Sequence, residues 1–258
     1  MMRTFKLIII YILCPVVLFG QRTGLEIMEQ VKNNPLPSSS ITHIELTIVT
    51  KKGKREKKKI REFIRYQKNY ESGKYERKTL VRFTKPLFVK GTGLLNWTQK
   101  NGVQEQWIFL PKLKTAKKIT SKDRTKSFMG SDFIYEDLES RSLNEDTFTE
   151  FGIEVIFNTP CYVIEAKPKE ESAYQWQKIW VETSTWQIKK VEYYNEKNKI
   201  IKTLSIPKHK IVNGFYIPEK MTMISIKGNQ TSMVINKATM DAGLQNDIFS
   251  KKFLIRIK

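Results

Sequence analysis

Residues 91–111 read GTGLLNWTQKNGVQEQWIFLP. Two runs rich in Leu, Trp, Ile and Phe flank the short polar turn KNG (100–102). Strand-forming runs separated by a few turn residues are the mark of a β-hairpin. On the second strand Trp107 and Phe109 fall on one face, and Ile108 and Leu110 on the other. A strand apolar on both faces needs cover on both sides, or a cavity on one. The opening GTG is too short for a phosphate loop, and its glycines suit a bulge or a close backbone approach.

The same pattern extends in both directions. RKTLVRFTKP (77–86) is a strand ended by Pro86. ITHIELTIVT (41–50) places Ile44, Leu46 and Ile48 on one face, KKGK (51–54) turns the chain, and KKKIREFIRYQKNY (57–70) returns. Downstream, TAKKIT, IEVIFN, CYVIEAKP, WQKIWVE, IKKVEYYN, KIIKTLSI, HKIVNGFYIPEKMTMISI and QTSMVINKAT read as further strands, with turns at NEKNK and KGNQ. TGLEIMEQVKNNP (23–35) reads instead as a short helix, capped by Thr23 and stopped by Pro35. Its buried stripe is expected to include Leu25, Ile27, Met28 and Val31. The stretch 122–150 breaks the strand rhythm and is expected to be loop and short helix. Many strands joined by short polar turns predict a mainly β fold, an antiparallel meander curled into a barrel or part-barrel. No linker or repeat interrupts residues 40–258, so one domain over 21–258 is expected.

The chain has 258 residues and a formal net charge of +20. Such an excess attracts anionic partners: nucleic acid, phospholipid headgroups or acidic proteins. The amino terminus narrows the choice. MMRTFK carries Arg3 and Lys6, LIIIYILCPVVLF follows as an uncharged run of thirteen residues, and GQRTG breaks it. This describes a secretory signal peptide over 1–20, cleaved after Gly20. The apolar run falls short of the roughly 20 residues that span a bilayer, although a retained membrane anchor is the rival reading. Leu13 precedes Cys14 where a lipoprotein signal has a small residue, so Cys14 reads as part of the signal core. Cleavage leaves Cys161 alone, and an exported fold without a disulfide must rely on its core. It also leaves a charge of +18, since Arg3 and Lys6 depart and no acid does. Export argues against nucleic acid as the partner of the Trp and Tyr residues interleaved with Lys and Arg. In strands such aromatics fill a core or line a cavity.

Reactive chemistry is scarce. His43 and His209 lie far apart and do not make a metal cluster with one cysteine. No nucleophile elbow, Walker loop or dinucleotide signature is present. The best case for paired carboxylates is SFMGSDFIYEDL (127–138) and the glutamate that follows: Asp132, Glu136, Asp137 and Glu139. If 133–139 is helical, Asp132 and Glu136 share a face and suit acid–base work. The rival reading is architectural. Gly130 permits a backbone angle or a close approach, and Ser131 or Asp132 caps the helix that follows. Phe128, Met129, Phe133 and Tyr135 anchor the turn on the sheet, while the acids stay wet. No neighbouring group completes a mechanism, so a lid is expected and an enzyme, metal or cofactor is not.

FTKPLFVKGTGLLNW, WIFLPKLKTAKKI, SFMGSDFIYEDL and CYVIEAKPK, in this order, resemble the LolA-like outer-membrane lipoprotein-sorting protein family. FMGSDFIYEDL is the most specific block, and the similarity runs from about Arg77 to the carboxyl terminus. At Lys117–Ile119 the sequence departs from the family, which often has arginine there, so a bidentate contact is not kept. The resemblance implies a half-open antiparallel β-barrel wrapping a few short helices over an apolar cavity. It implies a periplasmic carrier or chaperone that binds acyl chains of lipoproteins or lipids and helps move them toward the outer membrane. Leu94, Trp97, Trp107, Phe109, Phe128, Met129, Phe133 and Tyr135 are the expected lining, with Gly130, Ser131 and Asp132 as the lid. The alternative is a periplasmic accessory or sensor protein for a lipid-exporting transporter of the resistance-nodulation-division type. Expected partners are therefore acyl chains, an inner-membrane transporter or an anionic membrane surface, met by a monomer. The lysine run 51–59 is either a solvated tip or the contact to such a surface.

Overall fold

The structure, a computed structural model, describes residues 22–256. The expected signal peptide, with Cys14, lies outside them. In chain order the strands are β1 (Ser39–Lys52), β2 (Arg55–Asn69), β3 (Tyr75–Lys85), β4 (Gly93–Gln99), β5 (Gln104–Leu110), β6 (Thr115–Lys118), β7 (Asp146–Ile156), β8 (Thr159–Pro168), β9 (Trp176–Glu182), β10 (Ile188–Tyr194), β11 (Ile200–Ser205), β12 (His209–Val212), β13 (Phe215–Pro218), β14 (Lys220–Ser225) and β15 (Gln230–Met240). Helices are α1 (Gly24–Lys32), α2 (Ser121–Arg124) and α3 (Lys251–Leu254).

Thirteen strands form one antiparallel sheet in the order β6-β5-β4-β3-β2-β1-β15-β14-β11-β10-β9-β8-β7, and β12–β13 form a separate hairpin. Nearly every pairing is between neighbours along the chain, as short polar turns dictate. The long-range exception is β1 with β15, which runs from Ser40↔Met240 to Val49↔Gln230. It welds the first meander to the last strands and sets the middle of the sheet. The sheet is open, with β6 and β7 as its edges. These edges are consecutive in sequence, so the chain between them, residues 119–145, has to travel from one edge of the curl to the other.

Alternation along the strands produces two apolar layers. Ile44, Leu46, Phe63, Val81, Leu94, Ile164, Val181, Met223 and Met233 join a single core that also holds Ile27 and Met28 of α1. Side chains from strands at both ends of the sheet meet there, so this is the concave face. Leu80, Leu95, Trp107 and Phe109 have the opposite parity and pack under Leu244, Phe249 and Leu254 on the convex face.

Thr23 caps α1 as expected, through a reciprocal box in which Glu26 accepts from the Thr23 backbone N–H at 2.7 Å. Ile27 and Met28 are buried, but Leu25, expected on the same stripe, is exposed. The helix approaches β7 through Gly24, where an added Cβ would lie 2.9 Å from the Phe148 backbone carbonyl carbon. That approach selects the Gly24–Ile27–Met28 face, and Leu25, one residue and about 100° round from Gly24, is left in water. Gly93 shows the close approach expected of the GTG stretch: a Cβ there would meet Leu254 Cδ1 at 2.7 Å. Arg82 ties the same region together, donating to Gly91 O at 2.8 Å and Phe253 O at 3.0 Å.

Candidate ligand cavity and the segment across it

A cavity of about 280 Å³ lies between the concave face and the 119–145 segment. Ile44, Phe63, Val81, Leu94, Leu204, Met221 and Met233 supply its sheet wall, and Phe128, Phe133 and Leu138 its other side. Its volume is close to the lower end of the roughly 300–1,000 Å³ typical of small-molecule sites. Two larger clefts, of about 520 and 540 Å³, are lined mainly by polar residues such as Gln104, Lys118 and Arg124, or Asn69, Glu71 and Arg77.

The segment crosses the cavity as a tight turn. Ser127 and Ile134 form an antiparallel bridge, and Phe128 N–H donates to Phe133 O at 2.7 Å. Turning the chain needs two consecutive left-handed residues, Met129 at φ 53° and Gly130 at φ 69°. A Cβ on Gly130 would meet nothing within 4 Å, so backbone angle, and not a close approach, is what glycine supplies. The Phe128 ring then packs tilted on Phe83 and edge-on to Tyr135, both at 5.9 Å between centroids, sealing the turn to the concave face. Arg61 of β2 donates to the Met129 carbonyl.

The helix expected over 133–139 is absent. A 3-10 turn at Glu136–Leu138 takes its place, with Tyr135 at its N-cap, so neither Ser131 nor Asp132 caps a helix. Ser131 is buried and its hydroxyl donates to Phe128 O at 2.6 Å, inside the turn. Asp132 reaches the middle of the sheet: its N–H donates to Thr231 Oγ1 at 2.9 Å, and that hydroxyl donates back to Asp132 Oδ2 at 2.7 Å. Asp132→Ala is expected to cost about 1–2 kcal/mol through loss of the carboxylate contact. Asp132→Asn keeps an acceptor for the hydroxyl and is expected to lose less than half of that. Thermal melts of the two proteins check the order.

The acids beyond the turn, expected to be wet, are buried. Asp137 accepts from Lys202 Nζ, from Tyr174 OH at 2.6 Å and from Ile134 N–H at 2.8 Å. Glu136 accepts from Ser172 Oγ at 2.5 Å and Ala173 N–H at 3.0 Å, with Arg141 at 3.5 Å. Glu139 makes a two-pronged pair with Arg124, with Nη2 to Oε2 at 2.5 Å. Burial pulls Lys202 below the usual lysine range, against the opposing pull of Asp137, and burial also pushes the Tyr174 phenol far up. These acids fasten the segment to β11 and to the loop before β9. Sequence reasoning missed them as structural anchors because every partner but Ile134 N–H and Arg141 comes from a distant or separately folded stretch.

The expected lining residues divide between the two faces. Leu94, Phe128 and Phe133 line the cavity, while Tyr135 belongs to the concave core and Met129 packs against that core, neither of them lining the cavity. Trp97, Trp107 and Phe109 lie on the convex face under the carboxyl-terminal segment, where Trp97 Nε1 donates to Phe249 O at 2.8 Å. The register explains this. Leu94 faces Ile108 across β4–β5, while Trp107 faces Leu95 and Phe109 faces Gly93.

His43 is exposed, and no group of three or more His, Cys, Asp or Glu among the described residues is arranged to hold a metal. His209 is part-buried with its Nδ1 lacking a hydrogen-bond partner. Burial first, then the Lys189 charge, pushes it down to about 4. The unfolded chain takes up this proton near pH 6.5, while the folded chain resists until about pH 4. The His209 contribution to stability is therefore whole above pH 6.5 and lost as the pH falls through that window. Melting temperature is expected to decline between pH 6.5 and 4, and His209→Gln to flatten the decline.

A family model described as "Uncharacterized protein" matches residues 75–256, well over half of the chain, and the chain belongs to that family. Among solved structures it is similar to a domain from Vibrio parahaemolyticus described as an outer membrane lipoprotein-sorting protein domain. The two are 28% identical with a TM-score of 0.84, covering 90% of this chain and 98% of that one. It shares its fold with a DUF1329 family protein from Desulfovibrio piger, at 24% identity and a TM-score of 0.83, over 90% and 97% of the two chains. It also shares it with a LolA superfamily protein from Nitrosomonas europaea, at 18% identity and a TM-score of 0.67, over 90% and 100%. No curated protein matches the chain. These likenesses bear out the LolA-like lipoprotein-sorting resemblance that the sequence motifs carry.

Proposed function

We propose that the exported chain is a periplasmic carrier or chaperone. It holds acyl chains of lipoproteins or lipids in the concave cavity and helps move them toward the outer membrane. The observation that carries this reading is the apolar cavity between the sheet and residues 127–138, in a chain whose family and fold are LolA-like. Each methylene sequestered is worth about 0.8 kcal/mol before the cost of immobilising the chain. The turn at 127–134 acts as a lid, since Phe128 and Phe133 form one wall and displacing them enlarges the cavity. The task needs no covalent step, and the buried acids serve to seat the lid.

The test is a fluorescent fatty-acyl probe. Saturable binding to the processed protein, reversed by long-chain lipid, is expected. Absence of saturable binding in folded protein overturns the carrier reading in favour of a transporter accessory. Amino-terminal sequencing of periplasmic protein is expected to begin at Gln21, and an intact start in the inner membrane would overturn export.

The basic β1–β2 hairpin supports docking to an anionic membrane. Lys51, Lys52, Lys54, Arg55, Lys57, Lys58 and Lys59 are all exposed. Leu87 and Phe88, 84% and 65% exposed, lie just past Lys85, which pairs with Glu62 further down β2. Replacing Lys57, Lys58 and Lys59 with Gln is expected to weaken binding to anionic liposomes and to flatten its salt dependence. Cosedimentation at several salt concentrations measures both.

A further inference from the structure

The concave face changes character along β2, β3 and β4. Beside Phe63 and Phe83 lies a row of Arg65, Val81 and Leu94, then a row of Gln67, Thr79 and Asn96, then one of Asn69, Arg77 and Thr98. Arg65, Arg77, Thr79, Asn96 and Thr98 line the cavity with its apolar residues. Arg65 is half-buried and is one of the residues lining the cavity. Burial, and then the Arg77 charge, hold it down at about 10.

Neither arginine has a carboxylate within ion-pair distance among the described residues. Arg65 donates to Gln67 Oε1, and Arg77 to Asn69 Oδ1 at 2.9 Å and Ser140 Oγ at 2.6 Å. All three acceptors are neutral, and the two guanidiniums together own ten N–H donors. Glu76 sits at a register irregularity beside Arg77 and acts on its charge, but makes no ion pair with it. The acids on the cavity wall are already engaged, Asp137 by Lys202 and Glu139 by Arg124. Asn96 Oδ1, buried on the same wall, has no partner. Two like charges and an unanswered amide beside an apolar cavity are costly in the empty protein and are relieved by one ligand.

We infer that Arg65 and Arg77 form an oxyanion seat for the carboxylate or phosphate head of an anionic acyl lipid, whose tail lies along Phe63, Leu94 and Phe128. A guanidinium fork matches both kinds of head. A lipid with a neutral head offers no counter-charge. This rests on the carrier reading and gives it a substrate class.

Competition for the fluorescent fatty-acyl probe tests it, using oleate against oleyl alcohol, which share a chain and differ in head. Oleate is expected to compete roughly ten- to hundredfold better, the worth of a charge-assisted contact. Arg65→Gln with Arg77→Gln is expected to abolish that preference and leave oleyl alcohol unchanged. Equal competition by both ligands in the parent protein overturns the seat while the carrier reading stands. Competition by neither overturns both. Oleyl phosphate, ranked above or below oleate, identifies the preferred head and supports the seat either way. Inorganic phosphate displacing the probe at the same concentration as oleyl phosphate assigns the site to a free anion and overturns the lipid assignment. Arg65→Gln alone is expected to melt no earlier than the parent, because it removes repulsion from Arg77. A clearly lower melting temperature would assign the arginines to structure and sink the proposal.

Discussion

Asp137→Ala is expected to destabilise the fold by about 3–5 kcal/mol, the usual penalty for stranding a buried charge. Lys202 and Asp137 have side chains only 7% and 2% exposed, and among the described residues Lys202 Nζ has no other carboxylate at ion-pair distance. Alanine would leave this ammonium facing Asp132 O at 3.3 Å and the rings of Tyr174 and Tyr193, each 4.9 Å away. It would also free the Tyr174 hydroxyl and the Ile134 N–H. Adding Lys202→Met to Asp137→Ala removes the stranded charge, so the double variant is expected to recover a large part of the loss. Urea unfolding of the two single variants and the double variant measures the coupling. A single variant as stable as its parent would show that Asp137 does not anchor the segment. An unstable protein would also fail to hold cargo, so probe binding must be compared at temperatures where every variant is folded.

Phe128→Ala is expected to cost about 3–5 kcal/mol as well, by a different route. Its ring is 2% exposed and packs on Phe83 and Tyr135 while forming one side of the cavity. Deleting it merges the space of the ring with the existing cavity. The lid would lose its main apolar attachment but keep its polar ones through Asp132, Asp137 and Glu139. An acyl probe should consequently exchange faster, and longer chains should compete better than in the parent. Stopped-flow dissociation of the probe reads the first effect and a chain-length series the second. Destabilisation without faster exchange would place Phe128 in the core alone and separate the lid from the cargo path.

The period-two alternation of β1 through β5, the turn at KNG and the cap at Thr23 were legible because each depends on residues close in sequence. The same holds for Gly130, whose left-handed angle follows from a turn only a few residues long. Alternation also revealed that β5 is apolar on both faces. It could not reveal which face is concave, because parity is symmetric until the sheet curls. The pairing of β1 with β15 and the cover from Leu244, Phe249 and Leu254 broke that symmetry. They placed Trp97, Trp107 and Phe109 outside and Leu94 and Phe63 inside. The acids of SFMGSDFIYEDL show the same limit in electrostatic form. As a string they read as solvated charge, since a carboxylate leaves water only when its partners are supplied. Those partners, Arg124, Arg141, Ser172, Tyr174, Lys202 and Thr231, are spread over more than a hundred residues of chain. Folding brings them to one turn, where a lone carboxylate would stay out of the interior but a matched one is held there.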